Sequence, residues 1–320
     1  MWFRIKHSIQ ILLCIIIVMS IRFAMLSLNP YPEVWGQTQI GEDAVMEGIK
    51  KGYDPHVLAS MLIPSSGHIL AMLIDNEDSE EYRELDGLSY PAELYYDRIA
   101  ALHESMSTLR PRYESMFDVL YEAMKVYAPA VPRDWVEKEA DSWQGDVTLP
   151  SLFSLPRLQD LDYSHTFALD IFLKEVEYLP GNVQRGPMIH SLSDGIVVSA
   201  ESGWVGFPRT SQSLSFLKGG ISPKAGNGVI IYSPEEKRYF LYFHLYDALV
   251  EKGQIVRRGQ AIGHGGNTGI NARKKGGGDH LHLEIFDAHK GKPLRNTQII
   301  AFLQGSARKN AVLSPAVPSE

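Results

Sequence analysis

From about Thr148-Leu149-Pro150 onward the chain is written in short β-type runs split by glycine, and this texture restricts the fold more than any other feature. Gly195-Ile196-Val197-Val198, Gly228-Val229-Ile230-Ile231-Tyr232 and Tyr239-Phe240-Leu241-Tyr242-Phe243-His244 are examples. Turn signals at this spacing are those of an antiparallel β-barrel or sandwich. Such a domain is expected over residues 150–305, with a polar, Pro-containing tail over 306–320 that reads as loose.

The stretch before it has a different texture. Residues 30–149 read as a mostly helical domain. Ala44, Met46 and Ile49 begin an apolar face, and Leu94, Ile99, Leu102, Met106 and Leu109 continue the spacing of three or four. Met116-Phe117-Asp118-Val119-Leu120-Tyr121-Glu122-Ala123-Met124 repeats it, while Pro64-Ser65-Ser66-Gly67 and Ser89-Tyr90-Pro91 are breaks. His103-Glu104 begins a zincin helix pattern but lacks a second His four residues after the first, so it reads as a solvated helix face. Charge divides in the same place. Residues 40–149 carry 22 acids against 9 bases, whereas 150–320 carry 15 acids and 19 bases. The net charge of −7 argues against a nucleic-acid binder that works through overall basicity. An acidic helical half without a chemical constellation reads as a regulatory or docking domain, able to take a regulatory protein or to cover the basic half. The class is α+β.

Residues 1–29 form a third segment. Arg4, Lys6 and His7 precede an apolar run from Ile9 to Ile21, and after Arg22 the run Phe23–Leu28 extends it. The charged start and apolar core are those of a secretory signal. Read through Arg22, residues 9–28 reach the length of a membrane anchor, about 20 residues. Either way the protein is expected to be exported, to the periplasm or cell envelope. The single cysteine, Cys14, lies in this segment, which excludes a disulfide framework and any multi-Cys metal site from the rest.

Chemistry gathers in the β region. If Asp279-His280-Leu281-His282-Leu283-Glu284-Ile285 is a strand, its period of two puts His280, His282 and Glu284 on one face and Leu281, Leu283 and Ile285 on the other. In Tyr242-Phe243-His244-Leu245 the same alternation groups His244 with Phe240 and Tyr242. Tyr163-Ser164-His165-Thr166-Phe167-Ala168-Leu169-Asp170-Ile171 offers an imidazole and a carboxylate, with Asp160 and Asp162 as competing acids. His165, Asp170 and His282 together would make a His–Asp–His set, and three protein ligands with an open fourth position are the mark of catalytic zinc.

Taken together, these segments resemble the lysostaphin-type (LytM-like) zinc metallopeptidases, most of which cut peptide cross-bridges in peptidoglycan. The resemblance runs from about His165 to Phe302. It includes Gly186-Pro187-Met188-Ile189, Asp194-Gly195-Ile196-Val197, Gly226-Asn227-Gly228 and Tyr242-Phe243-His244-Leu245. The repeated-glycine stretch from Val250 to Gly263, then Gly266-Asn267-Thr268-Gly269 and His280-Leu281-His282-Leu283-Glu284, complete it. Carried over, the family pattern makes His165, Asp170 and His282 ligands of one Zn2+ per chain, and His244 and His280 the catalytic histidines. The family usually has three residues between the first His and the Asp; here Thr166 to Leu169 make four. Leu283 stands where an aromatic is usual. The implied activity is a zinc metalloendopeptidase with peptidoglycan peptide stems as substrate.

Two other readings remain beside it. A non-catalytic member would regulate another cell-wall hydrolase. The Val250–Gly263 stretch also resembles the glycine-turn pattern of biotinyl and lipoyl carriers, but no lysine stands at a hairpin tip between apolar partners. The loop Asn271-Ala272-Arg273-Lys274-Lys275-Gly276-Gly277-Gly278 reads as a solvated hairpin loop or as a basic rim, and His190 and His264 as loop or barrel residues.

Overall fold

The glycine-punctuated runs become strands, and every pairing between them is antiparallel. A computed structural model describes residue 17 and residues 42–63, 110–127, 161–162, 165–204, 220–221, 225–269, 272–273 and 279–313. Apart from Ile17, all of these lie within one compact unit, Ile40–Glu320. The strands in chain order are β1 (Leu161–Asp162), β2 (Leu169–Phe172), β3 (Glu177–Leu179), β4 (Val183–His190), β5 (Gly195–Glu201) and β6 (Asn227–Ser233). They continue with β7 (Arg238–Leu245), β8 (Asp247–Ala248), β9 (Ile255–Val256), β10 (Ala261–Gly266), β11 (His280–Asp287) and β12 (Lys292–Pro293).

They form two sheets. The larger, of eight strands, runs β1-β2-β11-β7-β6-β5-β9, with β12 added beside β11, and the smaller runs β3-β4-β10-β8. Of the barrel or sandwich expected, the closed barrel is not formed among the described residues. The large sheet ends on β1 and β9, each only two residues long, and closure would require its edges to pair. The domain is a pair of open antiparallel sheets.

Alternation sets the faces. Leu169 and Ile171 of β2, Val229 and Ile231 of β6, Phe240 and Tyr242 of β7, and Leu281, Leu283 and Ile285 of β11 point into one core. Ile189 and Ile262 of the small sheet meet them there, and Leu245, Val250 and Val256 add to the layer. Helix α4 (Asn296–Leu313) closes that core with Ile299 and Leu303, and its Phe302 ring lies 5.4 Å from Phe240. The helix thus reaches into the segment read as a loose tail. At Gly195 only hydrogen fits, because a Cβ there would lie 2.4 Å from the carbonyl oxygen of Tyr232 on the neighbouring strand.

Three helices precede the strands among the described residues. Helix α1 (Glu42–Lys50) ends at Gly52, whose φ of +77° is the left-handed conformation common after a helix. Helix α2 (Pro55–Leu62) starts on Asp54, which accepts the His56 amide at 2.8 Å, with Pro55 in its first turn. Helix α3 spans 110–124 and tightens into a 3-10 turn, Lys125–Tyr127. Its apolar face is the one read from Met116 to Met124: Met116, Phe117, Leu120, Tyr121 and Met124 are all buried. In α1 the expected face is rotated. Val45 and Gly48 turn inward and Met46 is 39% exposed, because Gly48 is what fits against Leu58 of α2, where a Cβ would come within 2.8 Å.

Helix α3 packs on the side of the large sheet away from the core. Phe286, Tyr239 and Tyr232 are cross-strand neighbours on that side. Phe117 packs against the two tyrosines, tilted to Tyr232 at 5.5 Å and edge-on to Tyr239 at 6.5 Å between centroids, and Arg110 sits 5.4 Å over the Phe286 ring. Polar contacts hold the edges. Arg110 donates to the Ala288 carbonyl at 2.8 Å, Tyr232 donates to Asp118 at 3.1 Å, and Lys237 pairs with the same carboxylate. Arg257 also donates to the Lys125 carbonyl at 3.1 Å.

The run over residues 9–28, the breaks at 64–67 and 89–91, the apolar positions from Leu94 to Leu109 and the pair His103-Glu104 lie outside the described residues, Ile17 excepted. No helix among the described residues is long and apolar enough to cross a membrane.

Two predictions follow from this packing. Phe117→Ala should cost about 3–5 kcal/mol, read as a lowered urea midpoint. Burial pushes the Glu114 carboxyl up from 4.5 to about 7, against the opposing pull of Arg110 at 3.0 Å. As pH rises, the unfolded chain releases this proton before the folded one does. Stability from this group is therefore complete below pH 4.5 and is lost as pH climbs through 7. Glu114→Gln should flatten that decline in denaturation measured from pH 4 to 8.

Candidate metal centre

Strand β11 is the backbone of the site. His280, His282 and Glu284 share the face opposite the core, as its alternation requires. Strand β2 pairs with it so that Asp170 stands opposite His282, and Phe172 opposite His280. His165 precedes β2 in a loop held by the start of α4: Asn296 donates its side-chain amide to the His165 carbonyl and its backbone amide to the Thr166 carbonyl, both at 2.9 Å.

One ligand atom from each of His165, Asp170 and His282 lies within 4.8 Å of the others. His282 Nδ1 is 2.7 Å from Asp170 Oδ1, and His165 Nε2 is 3.6 Å from Asp170 Oδ2. Donors around a tetrahedral zinc at about 2.1 Å stand roughly 3.4 Å apart, so small side-chain shifts suffice to seat an ion. Of the acids flanking His165, Asp170 is the one in this group among the described residues.

The electrostatics favour a cation. Burial pushes the His282 imidazole down, but hydrogen bonds and charge from Asp170 and Glu284 override it and hold the ring well above its ordinary range. Burial likewise pushes Asp170 up, while His282, His280 and His165 hold it well below the usual carboxylate range. A carboxylate pair that draws a proton onto a buried imidazole attracts a metal ion equally well. The second contact of His282, Nε2 to Glu284 Oε1 at 2.9 Å, is the outer carboxylate that orients metal-binding histidines. Donor set, spacing and charge all fit zinc.

His280 and His244 border the set. The His280 ring lies 4.7 Å from that of His244, and its Nε2 is 3.6 Å from Asp170 Oδ2. The His244 ring is 5.6 Å from His282. This corrects the sequence-based placement of His244 beside Phe240 and Tyr242. Those two face the core, but His244 turns to the opposite side because its φ is +61° and the β6–β7 register shifts at Asn227/Gly228. Such a bulge re-aims a side chain at a cost of roughly 1–2 kcal/mol for a residue other than glycine. Burial, reinforced by the neighbouring His280 and His282, pushes the His244 ring well below its ordinary range, so it is neutral at pH 7.

The remaining histidines of interest lie elsewhere. His190 is buried and its pKa is lowered by that burial to about 3. His264, on the small sheet, contacts Asp247 at 2.9 Å and Arg185 at 3.0 Å. Of the glycine-rich loop, Ala272 and Arg273 are described; Arg273 lies 5.2 Å over the Trp204 ring. Sequence reading left Glu284 without a role, although the period of two already put it beside His282. It also named Thr268 only within Gly266-Asn267-Thr268-Gly269 and gave it no role, because its contact with His244 joins residues 24 apart with no local signal.

Comparison with known proteins gives this geometry its relatives. Residues 182–296 match Peptidase family M23. The match takes in His244, His280, His282 and Glu284 but begins after His165 and Asp170; the β2–β11 pairing brings Asp170 to the site, and the loop before β2 brings His165. Over 73 residues the chain is 44% identical to the peptidoglycan DD-endopeptidase ShyA of Vibrio cholerae, a segment covering 22% of this chain and 15% of that protein. Among solved structures, the catalytic domain of lysostaphin from Staphylococcus simulans is 18% identical, with 51% of this chain and 96% of that one covered and a TM-score of 0.28. A zinc-containing peptidase from Vibrio cholerae is 21% identical, with coverages of 47% and 39% and a TM-score of 0.27. The assignment rests on the sequence match and on the site residues it contains. Over residues 182–296 the chain is similar to Peptidase family M23, the LytM-like peptidases.

Proposed function

We propose that this domain is a zinc-dependent endopeptidase that hydrolyses peptide cross-links of bacterial cell-wall peptidoglycan. The observation that carries the proposal is the meeting of His165, Asp170 and His282 within 4.8 Å, with the rings of His244 and His280 beside them. The substrate class is supported by the name of the relative, a peptidoglycan DD-endopeptidase. In the same proposal the protein is exported to the periplasm or cell envelope, with residues 9–28 as signal or anchor, and holds one zinc ion per chain.

His282 would bind through Nδ1, the atom that faces Asp170, while its Nε2–H donates to Glu284. His165 would bind through Nε2 and Asp170 through its carboxylate. When bound, zinc supplies Lewis acidity that brings the pKa of a coordinated water to about 7 and polarises a carbonyl. His244 is neutral, and its Nδ1–H is committed to the Thr268 carbonyl at 2.7 Å, so Nε2 is the nitrogen left to accept a proton. His244 and His280 share the proton work between them: one takes the proton from water, and the other stabilises the oxyanion and delivers a proton to the leaving amine. Phe243 stacks against His282 with centroids 6.0 Å apart, and Phe172 meets His280 edge-on at 6.3 Å, so each ring has an aromatic neighbour.

Helix α3 covers the aromatic end of the same sheet face.

The roles divide cleanly under mutation. His282→Ala should leave less than one-tenth of the zinc, measured by metal analysis of the purified protein. His280→Ala should keep its zinc and release muropeptides at least about 100-fold more slowly. A His280→Ala protein that digests peptidoglycan at the full rate would sink the proposal. Because protons compete with the metal for the imidazoles, zinc content should fall as the pH drops below about 6, with half-occupancy moving to lower pH as free zinc is raised.

A further inference from the structure

We infer that Thr268 is a positioning residue, a two-ended clamp that holds His244 in its left-handed backbone conformation and in a single ring tautomer. This deepens the proposed function and rests on it, since it concerns how one of the two histidines is aimed.

Two independent observations converge on Thr268. The first is backbone strain at His244, whose φ is +61° at the end of a strand where an alternating chain would send the ring into the core. Glycine is the residue suited to that conformation; a histidine there has to be held by its surroundings. The His244 amide is held by the Ala225 carbonyl at 2.9 Å. The other contacts come from Thr268. Its hydroxyl donates to the carbonyl of Leu245, the next residue, at 2.7 Å. The same hydroxyl accepts the Asn227 amide at 2.8 Å, on the strand where the register shifts. One buried hydroxyl therefore ties together both sides of the bulge that turns His244 outward.

The second observation concerns the ring. His244 Nδ1 lies 2.7 Å from the Thr268 carbonyl oxygen. A carbonyl only accepts, so Nδ1 carries the hydrogen and Nε2 carries the lone pair. The clamp thus fixes backbone and tautomer from a single residue. Thr268 is 3% exposed, and the segment fits closely: a Cβ at Gly226 would stand 2.5 Å from the Thr268 hydroxyl oxygen. Asn227 braces the other side, accepting the Trp204 amide at 2.9 Å and donating to the Tyr246 carbonyl at 2.8 Å.

The hydroxyl is the part that mutation can remove. Thr268→Val keeps the shape and deletes both hydroxyl bonds, whereas Thr268→Ser keeps them. In the zinc-loaded full-length protein, Thr268→Val should lower kcat roughly tenfold to hundredfold with KM and zinc content unchanged. Thr268→Ser should stay within about twofold of the parent, as expected when both hydroxyl bonds are retained. A Thr268→Val enzyme with full kcat, whatever its thermal midpoint, would overturn the inference, as would a Ser variant as impaired as the Val variant. Imidazole 15N NMR of the unmutated, zinc-loaded protein gives a reading that requires neither a variant nor turnover. His244 protonated on Nδ1 supports the clamp, and protonation on Nε2 overturns it. A protein with that tautomer but no hydrolysis of peptidoglycan would remove the proposed function while leaving the positioning intact.

Discussion

The site depends on one stretch of ladder, in which β2 and β11 run antiparallel with Asp170 opposite His282. The flanking residues hold that register. Leu169 and Ile171 on one strand, and Leu281 and Leu283 on the other, are fully buried in the core. A slip of one residue would turn these four side chains out of the core and carry the imidazole and carboxylate into it. Hydrophobic burial thereby fixes a polar arrangement on the opposite face, and the ligands need no rigidity of their own. Glu284, two residues along the same face, meets His282 through the period of two within β11 itself.

Where a side chain obeys the local period, its place was legible in the sequence. His280, His282 and Glu284 fall together because β11 is regular, and Met116 to Met124 bury the stripe that their spacing drew. His244 was misplaced because alternation fails at a bulge, and a bulge depends on a partner strand that cannot be seen from Tyr242-Phe243-His244. The face of α1 was misread for a related reason. Gly48 carries no apolar signal, yet it is the position that lets α2 approach. Thr268 had no role in the sequence reading because a carbonyl contact between distant residues leaves no pattern. His165 and Asp170 stood out as an imidazole and a carboxylate that could join His282, but with Asp160 and Asp162 competing it was the resemblance that singled out Asp170.

The two faces of the large sheet carry different burdens. One meets the small sheet and α4 in a continuous apolar layer. The other is divided along its length, with imidazoles and carboxylates at one end and the packed rings of Phe117, Tyr232 and Tyr239 at the other. The acidic character of the helical half enters through particular contacts: Asp118 meets Lys237 and Tyr232, and Glu114 meets Arg110 of its own helix. Charge asymmetry along the sequence thus becomes local pairing over an aromatic contact, and the packing of rings contributes more than the ion pairs at its edge.

The loop that carries His165 has a consequence for how such chains can change length. Asp170 belongs to the ladder, so its position is set by pairing with β11, whereas His165 lies before the first paired residue, Leu169. The intervening backbone can gain a residue by bowing outward while the carboxylate stays in place, and Asn296 holds its far end. The fourth residue between the two proposed ligands, one more than the family usually has, falls in the one segment of the set that tolerates an insertion. Between Leu281 and Leu283 no such allowance exists, since an added residue there would reverse the alternation of every position beyond it.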